Sequence, residues 1–197
     1  MSDCLIYAGI VSFNPNIVRL KENIDSIVYQ VEEVVVYDNG SDNQDKVKKL
    51  LCNYDRVHMI CADKNNGIAA ALNSLMQWGF DRHYKWMLSL DQDSVCGQDF
   101  IVSMLSYLSI EPRIGVAAPV IVDRNIGVVG HNPEQDYAHV RTCITSGSIV
   151  NIDIWQEIGG YDESMFIDSV DFEFCYRVRK NGYGVIQTKN VQLLHEL

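Results

Sequence analysis

A chain of 197 residues, 47% of them hydrophobic, can bury one substantial core and is short for two, so a single domain over 1–197 is expected. Its formal charge of -10 argues against a surface built to neutralise phosphates, and so against a nucleic-acid partner. Cysteines at 4, 52, 61, 96, 143 and 175 make no CxxC or Cys/His spacing, the opening MSDCLIYAGIVSF has no basic stretch, and no apolar run nears the ~18 residues of a membrane span; reduced, mostly buried thiols in a cytoplasmic protein are expected, with no zinc site, signal peptide or anchor.

Short apolar runs bounded by turn residues alternate with segments of helical period, the pattern of strands joined by crossover helices in a mostly parallel sheet. Leu5 to Phe13 reads as the first strand. Asn14 then caps a helix with Pro15 in its first position, and Ile17, Leu20, Ile24, Ile27 and Val31 recur on one face. Val34 to Tyr37 and Val57 to Cys61 read as the second and third strands. A helix follows from about Gly67 with Ile68, Leu72, Leu75 and Met76 as its stripe, and Lys85 to Leu90 is the fourth strand. From Gly115 the runs GVAAPVIV, IGVVG and TSGSIVNI, with one short helix at Ile154 to Ile158, predict a less regular second half. No repeat or low-complexity linker divides the chain.

In open α/β sheets ligands bind beyond the carboxyl ends of the strands. Those ends read SFNP, DNGSDN, ADKNNG and DQDS, which makes Ser12, Asn14, Asp38, Asn39, Asn66, Gly67 and Asp91 candidates for holding a ligand. In LSLDQDS, residues two apart project to one side of an extended backbone, so Asp91 and Asp93 can reach one ion together while Gln92 turns away. Two hard oxygens suit Mg²⁺ or Mn²⁺ carrying substrate phosphates; they equally suit a strand-closing turn. Asp38 is either part of a strong Asp-Asn-Gly-Ser turn or an acceptor for a nucleobase imide or ribose hydroxyl. NNGIAAALN allows close helix packing or anion binding at a helix N-terminus, without the spacing of a Walker loop. Asp168 and Asp171 stand at the entrance of a helix running to about Lys180, where capping alone would account for them. Thr145 to Ser148 is a simple turn or the lining of an acceptor pocket, and a lone His195 is more often a satisfied residue than a ligand.

In this order, IVSFNP, VVVYDNGSDN, NNGIAAALN, LSLDQDS, TSGS, FIDSVDFEFCYR and LLHEL resemble the family 2 glycosyltransferases of the GT-A fold, and within them the rhamnosyltransferase-like branch. The resemblance implies an α/β, Rossmann-like, mostly parallel sheet flanked by helices, with a nucleotide-binding half over about 1–95 and an acceptor-side half over about 96–197. It implies that Asp38 contacts the base, that Asp91 and Asp93 form the metal and donor site, that His195 helps bind the metal or diphosphate, and that a carboxylate within 166–171 is the base of an inverting transfer. Many members carry Glu-Asp where this chain has Asp168-Ser169, and members of this branch usually continue past the terminal His motif. A missing C-terminal part that supplies acceptor contacts or peripheral membrane association at the inner face is therefore expected.

The chemistry expected is attack of an acceptor hydroxyl, on a glycan or lipid-linked glycan, upon the anomeric carbon of a dTDP- or UDP-sugar in polysaccharide synthesis. Such a reaction needs a base on one side and a charge sink for the diphosphate on the other. Asp168 takes the base role ahead of Asp171, because a carboxylate inside the first helical turn tends to be occupied by backbone N–H groups while Ser169 caps. The rivals are a sugar-1-phosphate nucleotidyltransferase, whose Gly-rich basic opening is missing from Leu5 to Val18, and a non-catalytic module that holds nucleotide or ion.

Overall fold

The computed structural model describes residues 5–195. Four parallel strands, β1 (Ile6–Ser12), β2 (Val34–Asp38), β3 (Val57–Cys61) and β4 (Trp86–Asp91), are linked by crossover helices α1 (Ile17–Ile27), α2 (Gln44–Leu51) and α3 (Ile68–Phe80). After them come β5 (Val95–Cys96), α4 (Phe100–Leu108), β6 (Ile114–Asp123), β7 (Gly127–Val129), β8 (Tyr137–His139), β9 (Ile149–Asn151), α5 (Ile152–Ile158), α6 (Val170–Lys180) and β10 (Gly184–His195). One sheet holds all ten strands, in the order β3-β2-β1-β4-β9-β6-β10-β5, with β7 paired to β6 and β8 to β10.

Every residue of β1 and β2 is buried, as continuous apolar strands are when helices cover both faces of a parallel sheet. Successive side chains feed opposite layers. Ile6, Ala8 and Ile10 join the core beneath α1, α2 and α4, whereas Tyr7 and Val11 join the core beneath α3, α5 and α6. The strand β3, at the edge, is only partly covered. No described helix is long and apolar enough to cross a membrane.

Several expectations shift. The cap of α1 is Asn16, whose side chain accepts from Val18 and Arg19 N–H at 3.0 and 3.3 Å; Asn14 sits instead at φ 48, tied to the neighbouring loop. Val31 lies past the helix end yet stays buried. Two helices do not show in the pattern: α2 is short and highly charged, and α4 (FIVSMLSYL) is too uniformly apolar to display a clear stripe. The described cysteines are all free, but only Cys96 and Cys175 are buried; Cys143 is half-buried, and Cys52 after α2 and Cys61 on the edge strand are exposed. Cys4, Glu196 and Leu197 lie outside the described residues.

Candidate functional site

Because β9 inserts antiparallel between β4 and β6, and β10 pairs parallel with β6, both β6 and β10 run in the direction of β4. The C-terminal residues of five strands, Ser12, Asp38, Asp91, Asp123 and His195, therefore share one sheet edge. This is how His195 reaches the DQDS segment. Its Nε2 lies 3.9 Å from Asp91 Oδ2 and its Nδ1 lies 3.5 Å from Asp93 Oδ1.

These side chains line a cavity of about 580 Å³, together with Asn39, Gly67, Thr145, Ser146, Phe166, Ile167 and Asp171. Among the described residues no Lys or Arg lines it. A larger groove of about 740 Å³ beside α3 and α5 contains none of the residues singled out by sequence and brings together no carboxylate pair and imidazole, so the smaller cavity is the candidate site.

The DQDS segment is held on all sides. Asp91 N–H donates to Ser146 Oγ at 3.2 Å, Ser146 Oγ meets Ser94 Oγ at 2.7 Å, and Ser94 Oγ stands 3.4 Å from His195 Nδ1. The strand ends at Asp91 and residues 92–93 form a turn, so Gln92 does not turn away as an extended backbone would require: it lines the same cavity, its Oε1 accepting from Phe13 N–H at 2.8 Å. TSGS is thus both turn and lining. Gly147 at φ 78 leaves no room for a Cβ, which would meet Pro119 at 2.8 Å. Burial raises the Asp91 carboxyl above the ordinary range; His195 opposes the rise, Asp93 adds to it, Ser146 opposes it and Asp171 adds again.

Among the described residues no three His, Cys, Asp or Glu side chains form a ready-made ion cage. Mg²⁺ and Mn²⁺ need none, since they usually take one or two carboxylates and fill their other positions with phosphate and water. The donor set fits such an ion on one observation in particular: Asp93 Oδ1 is buried without a hydrogen-bond partner.

On the other flank, Asn39 organises the loop before α3. Its Oδ1 accepts from Asn66 N–H at 2.9 Å, and its Nδ2 donates to Asn65 Oδ1 and to the Gly67 carbonyl at 3.0 and 3.2 Å. Asn66 is exposed and contributes only its backbone to this loop. Gly67, at φ 85, lies so close to the Phe166 carbonyl that a Cβ would stand 2.6 Å from it, and Ile68 N–H, the first amide of α3, donates to that same carbonyl at 2.8 Å. Ser12, Asn14 and Asp38 do not line the cavity. Ser12 Oγ donates to the Tyr37 carbonyl, while Asn14 accepts from Asp42 N–H and donates to Ser41 Oγ. Asp38 is fully buried: Oδ1 accepts from Ser41 N–H and Gln44 Nε2 at 2.9 and 3.1 Å, and Oδ2 has no partner.

At the entrance of α6 the two carboxylates part. Asp168 is exposed and outside the cavity lining, whereas Asp171 faces into it. Ser169 makes no capping bond and takes φ 66, which turns the chain just before the helix. Asp171 Oδ1 accepts from Phe172 N–H at 2.9 Å, and partial burial raises its carboxyl, opposed by backbone N–H groups at Phe172, Asp171 and Thr145. Sequence reasoning passed over Ser146 as a specific partner and Phe166 and Ile167 as lining; the apolar pair's place just before Asp168 was the available signal.

The model of the Glycosyl transferase family 2 matches residues 8–167. The dTDP-rhamnosyl transferase RfbF of Shigella flexneri is 30% identical over 98% of this chain and 69% of its own length, and the low-salt glycan biosynthesis hexosyltransferase Agl10 of Haloferax volcanii is 25% identical over 88% and 62%. Among solved structures, GalNAc-T7 with UDP, GalNAc and Mn²⁺ superposes at TM-score 0.80 and 15% identity over all of this chain and 45% of its own. The mannosyltransferase PcManGT of Pyrobaculum calidifontis, in complex with GDP-Man and Mn²⁺, gives 0.74 and 13% over 96% and 56%. The fold is that of the GT-A glycosyltransferases. This chain spans about half to two thirds of the length of these proteins.

Proposed function

The chain belongs to glycosyl transferase family 2, and on that premise we propose that it moves a sugar, with inversion, from a nucleoside-diphosphate sugar to a glycan or lipid-linked glycan in polysaccharide synthesis. A dTDP-sugar, with rhamnose first, is the favoured donor because the relative of 30% identity is named for dTDP-rhamnosyl transfer. The observation that carries the reading is the meeting of Asp91, Asp93, His195 and Asp171 on the wall of one cavity that no described Lys or Arg lines.

Asp171 is the base, ahead of Asp168, because only Asp171 faces the cavity. A carboxyl raised by burial is better matched to accepting a proton near neutral pH than an ordinary one. The acceptor oxygen attacks the anomeric carbon and gives its proton to the Asp171 carboxylate; the bond from that carbon to the diphosphate oxygen breaks on the opposite face. Asp93, Asp91 and His195 are the residues that would hold Mn²⁺ or Mg²⁺, which when bound neutralises the diphosphate that leaves. Asn39 and Gly67 shape the wall on which the nucleoside lies, Ser12, Asn14 and Asn66 support it from behind, and Asp38, buried behind that wall with an unpartnered Oδ2, is assigned to base or ribose on the family resemblance, a contact that requires the wall to open.

Titration calorimetry with dTDP, UDP and GDP in Mn²⁺ and then in EDTA tests this. One nucleotide should bind with Mn²⁺ and be lost in EDTA, and Asp38→Ala should weaken binding by about tenfold or more while Mn²⁺ still assists. Undiminished binding in EDTA would remove the ion from the reading, and an Asp38→Ala protein that binds like the parent would leave Asp38 a turn residue.

A further inference from the structure

The apolar stripe that α1 turns toward the sheet is interrupted. Among its buried residues Leu20, Ile24 and Ile27 stands Asn23, which is fully buried. Its Nδ2 donates to the Asp91 carbonyl, and its Oδ1 is buried without a partner. About one turn further, Ser26 Oγ accepts from Cys96 N–H at 3.1 Å and donates to the Asn23 carbonyl at 2.7 Å. In the turn after the helix, Gln30 Nε2 donates to the Gly97 carbonyl at 2.7 Å and its Oε1 accepts from Ile101 N–H at 3.2 Å. Three side chains spaced along α1 and its exit thus grip the backbone of residues 91, 96, 97 and 101 in order.

Stability alone does not account for Asn23. A buried amide with an unmet acceptor carries a desolvation cost, and a leucine of similar size would continue the stripe. The Asp91 carbonyl would keep Ser94 N–H, at 3.2 Å, even without it. What Asn23 adds is a second fixed point: the N–H of Asp91 is held by Ser146 from the β9 side and its C=O by Asn23 from the α1 side.

We propose that Asn23 is a positioning residue which, with Ser26 and Gln30, fixes the backbone of residues 91–101 and thereby sets where the Asp91 and Asp93 carboxylates stand. The inference rests on the reading of those two carboxylates as ligands of the ion that accompanies the donor. Asn23→Leu in the whole chain tests it with three measurements: thermal unfolding, amide hydrogen exchange without ligand, and Mn²⁺ affinity by electron paramagnetic resonance in the presence of dTDP, UDP or GDP. The midpoint of unfolding should stay or rise, exchange over 91–101 should quicken by about tenfold while 34–66 is unchanged, and Mn²⁺ affinity should fall by roughly 10–100-fold, as it does when supporting partners of metal ligands are removed. Gln30→Leu should loosen 97–101 and lower Mn²⁺ affinity less. Unchanged exchange over 91–101, or unchanged Mn²⁺ affinity despite faster exchange, overturns the proposal; so does faster exchange throughout the chain with a lower midpoint, which would make Asn23 a fold residue only. A parent protein that takes up no Mn²⁺ with any of the three nucleotides overturns the donor-site reading instead, and exchange over 91–101 then decides the backbone clamp by itself.

Discussion

Two segments carry the carboxylates of the cavity, and they are built in opposite ways. Asp91 to Ser94 is pinned at its backbone by Asn23 and Ser146, at Gln92 by Phe13, and at Ser94 by Ser146. Residues 166–171 are fastened through the Phe166 carbonyl and through Glu173 N–H to the Ser169 carbonyl, while Phe166 and Ile167 stand 55% and 69% exposed and Asp168 faces water. The contrast separates two tasks. On the proposed reading, a carboxylate pair that shares an ion works in one arrangement and has its backbone overdetermined, whereas a segment facing the acceptor leaves its side chains open and fixes only the helix start.

The sharpest break in that comparison is functional. Asp171→Asn should lower turnover by about two to four orders of magnitude with nucleotide affinity nearly unchanged, whereas Asp168→Asn should stay within a few-fold of the parent. Steady-state transfer assays with both variants decide it, and a dead Asp168→Asn with a live Asp171→Asn would reverse the roles. Next in size, the pinned segment should respond through binding: Asp93→Asn, which removes the negative charge and one of the two carboxylate oxygens, should weaken Mn²⁺-dependent nucleotide binding by about tenfold or more, and Asp91→Asn by less. Equal losses in calorimetry would show that the two carboxylates share the task evenly.

The smallest effect concerns pH. Partial burial raises the Asp171 carboxyl above its unfolded value, so the folded chain binds that proton more tightly than the unfolded chain does. Its ionised form therefore costs stability at neutral pH, and the cost is relieved as pH falls through the raised value toward the ordinary Asp range. Asp171→Asn should raise the unfolding midpoint at pH 7 by on the order of a few °C, and the gain should shrink on acidification. A variant less stable than the parent at pH 7 would show that the backbone N–H contacts outweigh burial.

How much of this was legible in the sequence follows from whether the signal is local. The four parallel strands could be read because each is a short apolar run closed by turn residues; Asp91 and Asp93 do share one cavity wall, but β4 ends at Asp91, residues 92–93 are a turn and Gln92 lines the same cavity, so strand period is not what brings the pair together. Where two local signals competed, the choice went astray: Asn14 and Asn16 flank Pro15, and it is Asn16 whose side chain caps the helix while Asn14 takes a left-handed φ. Asp168 and Asp171 were ordered by expected exposure to backbone N–H groups, but the left-handed Ser169 sets which of them faces inward, and no composition announces it. The approach of His195 to Asp93 is a product of topology; the family resemblance implied it, and residue spacing does not contain it.

The short strand β9 also governs the order in which the molecule can be completed. Until Ile149–Asn151 have been synthesised, β4 is the open margin of a nascent β3-β2-β1-β4 sheet, with unpaired backbone groups on its free side. The joining of β6 and β10 to that margin depends on three residues arriving late, across a long sequence separation that makes the closure entropically slow. A nascent chain halted before residue 149 therefore presents, at β4, a second open edge besides β3 for edge-to-edge association.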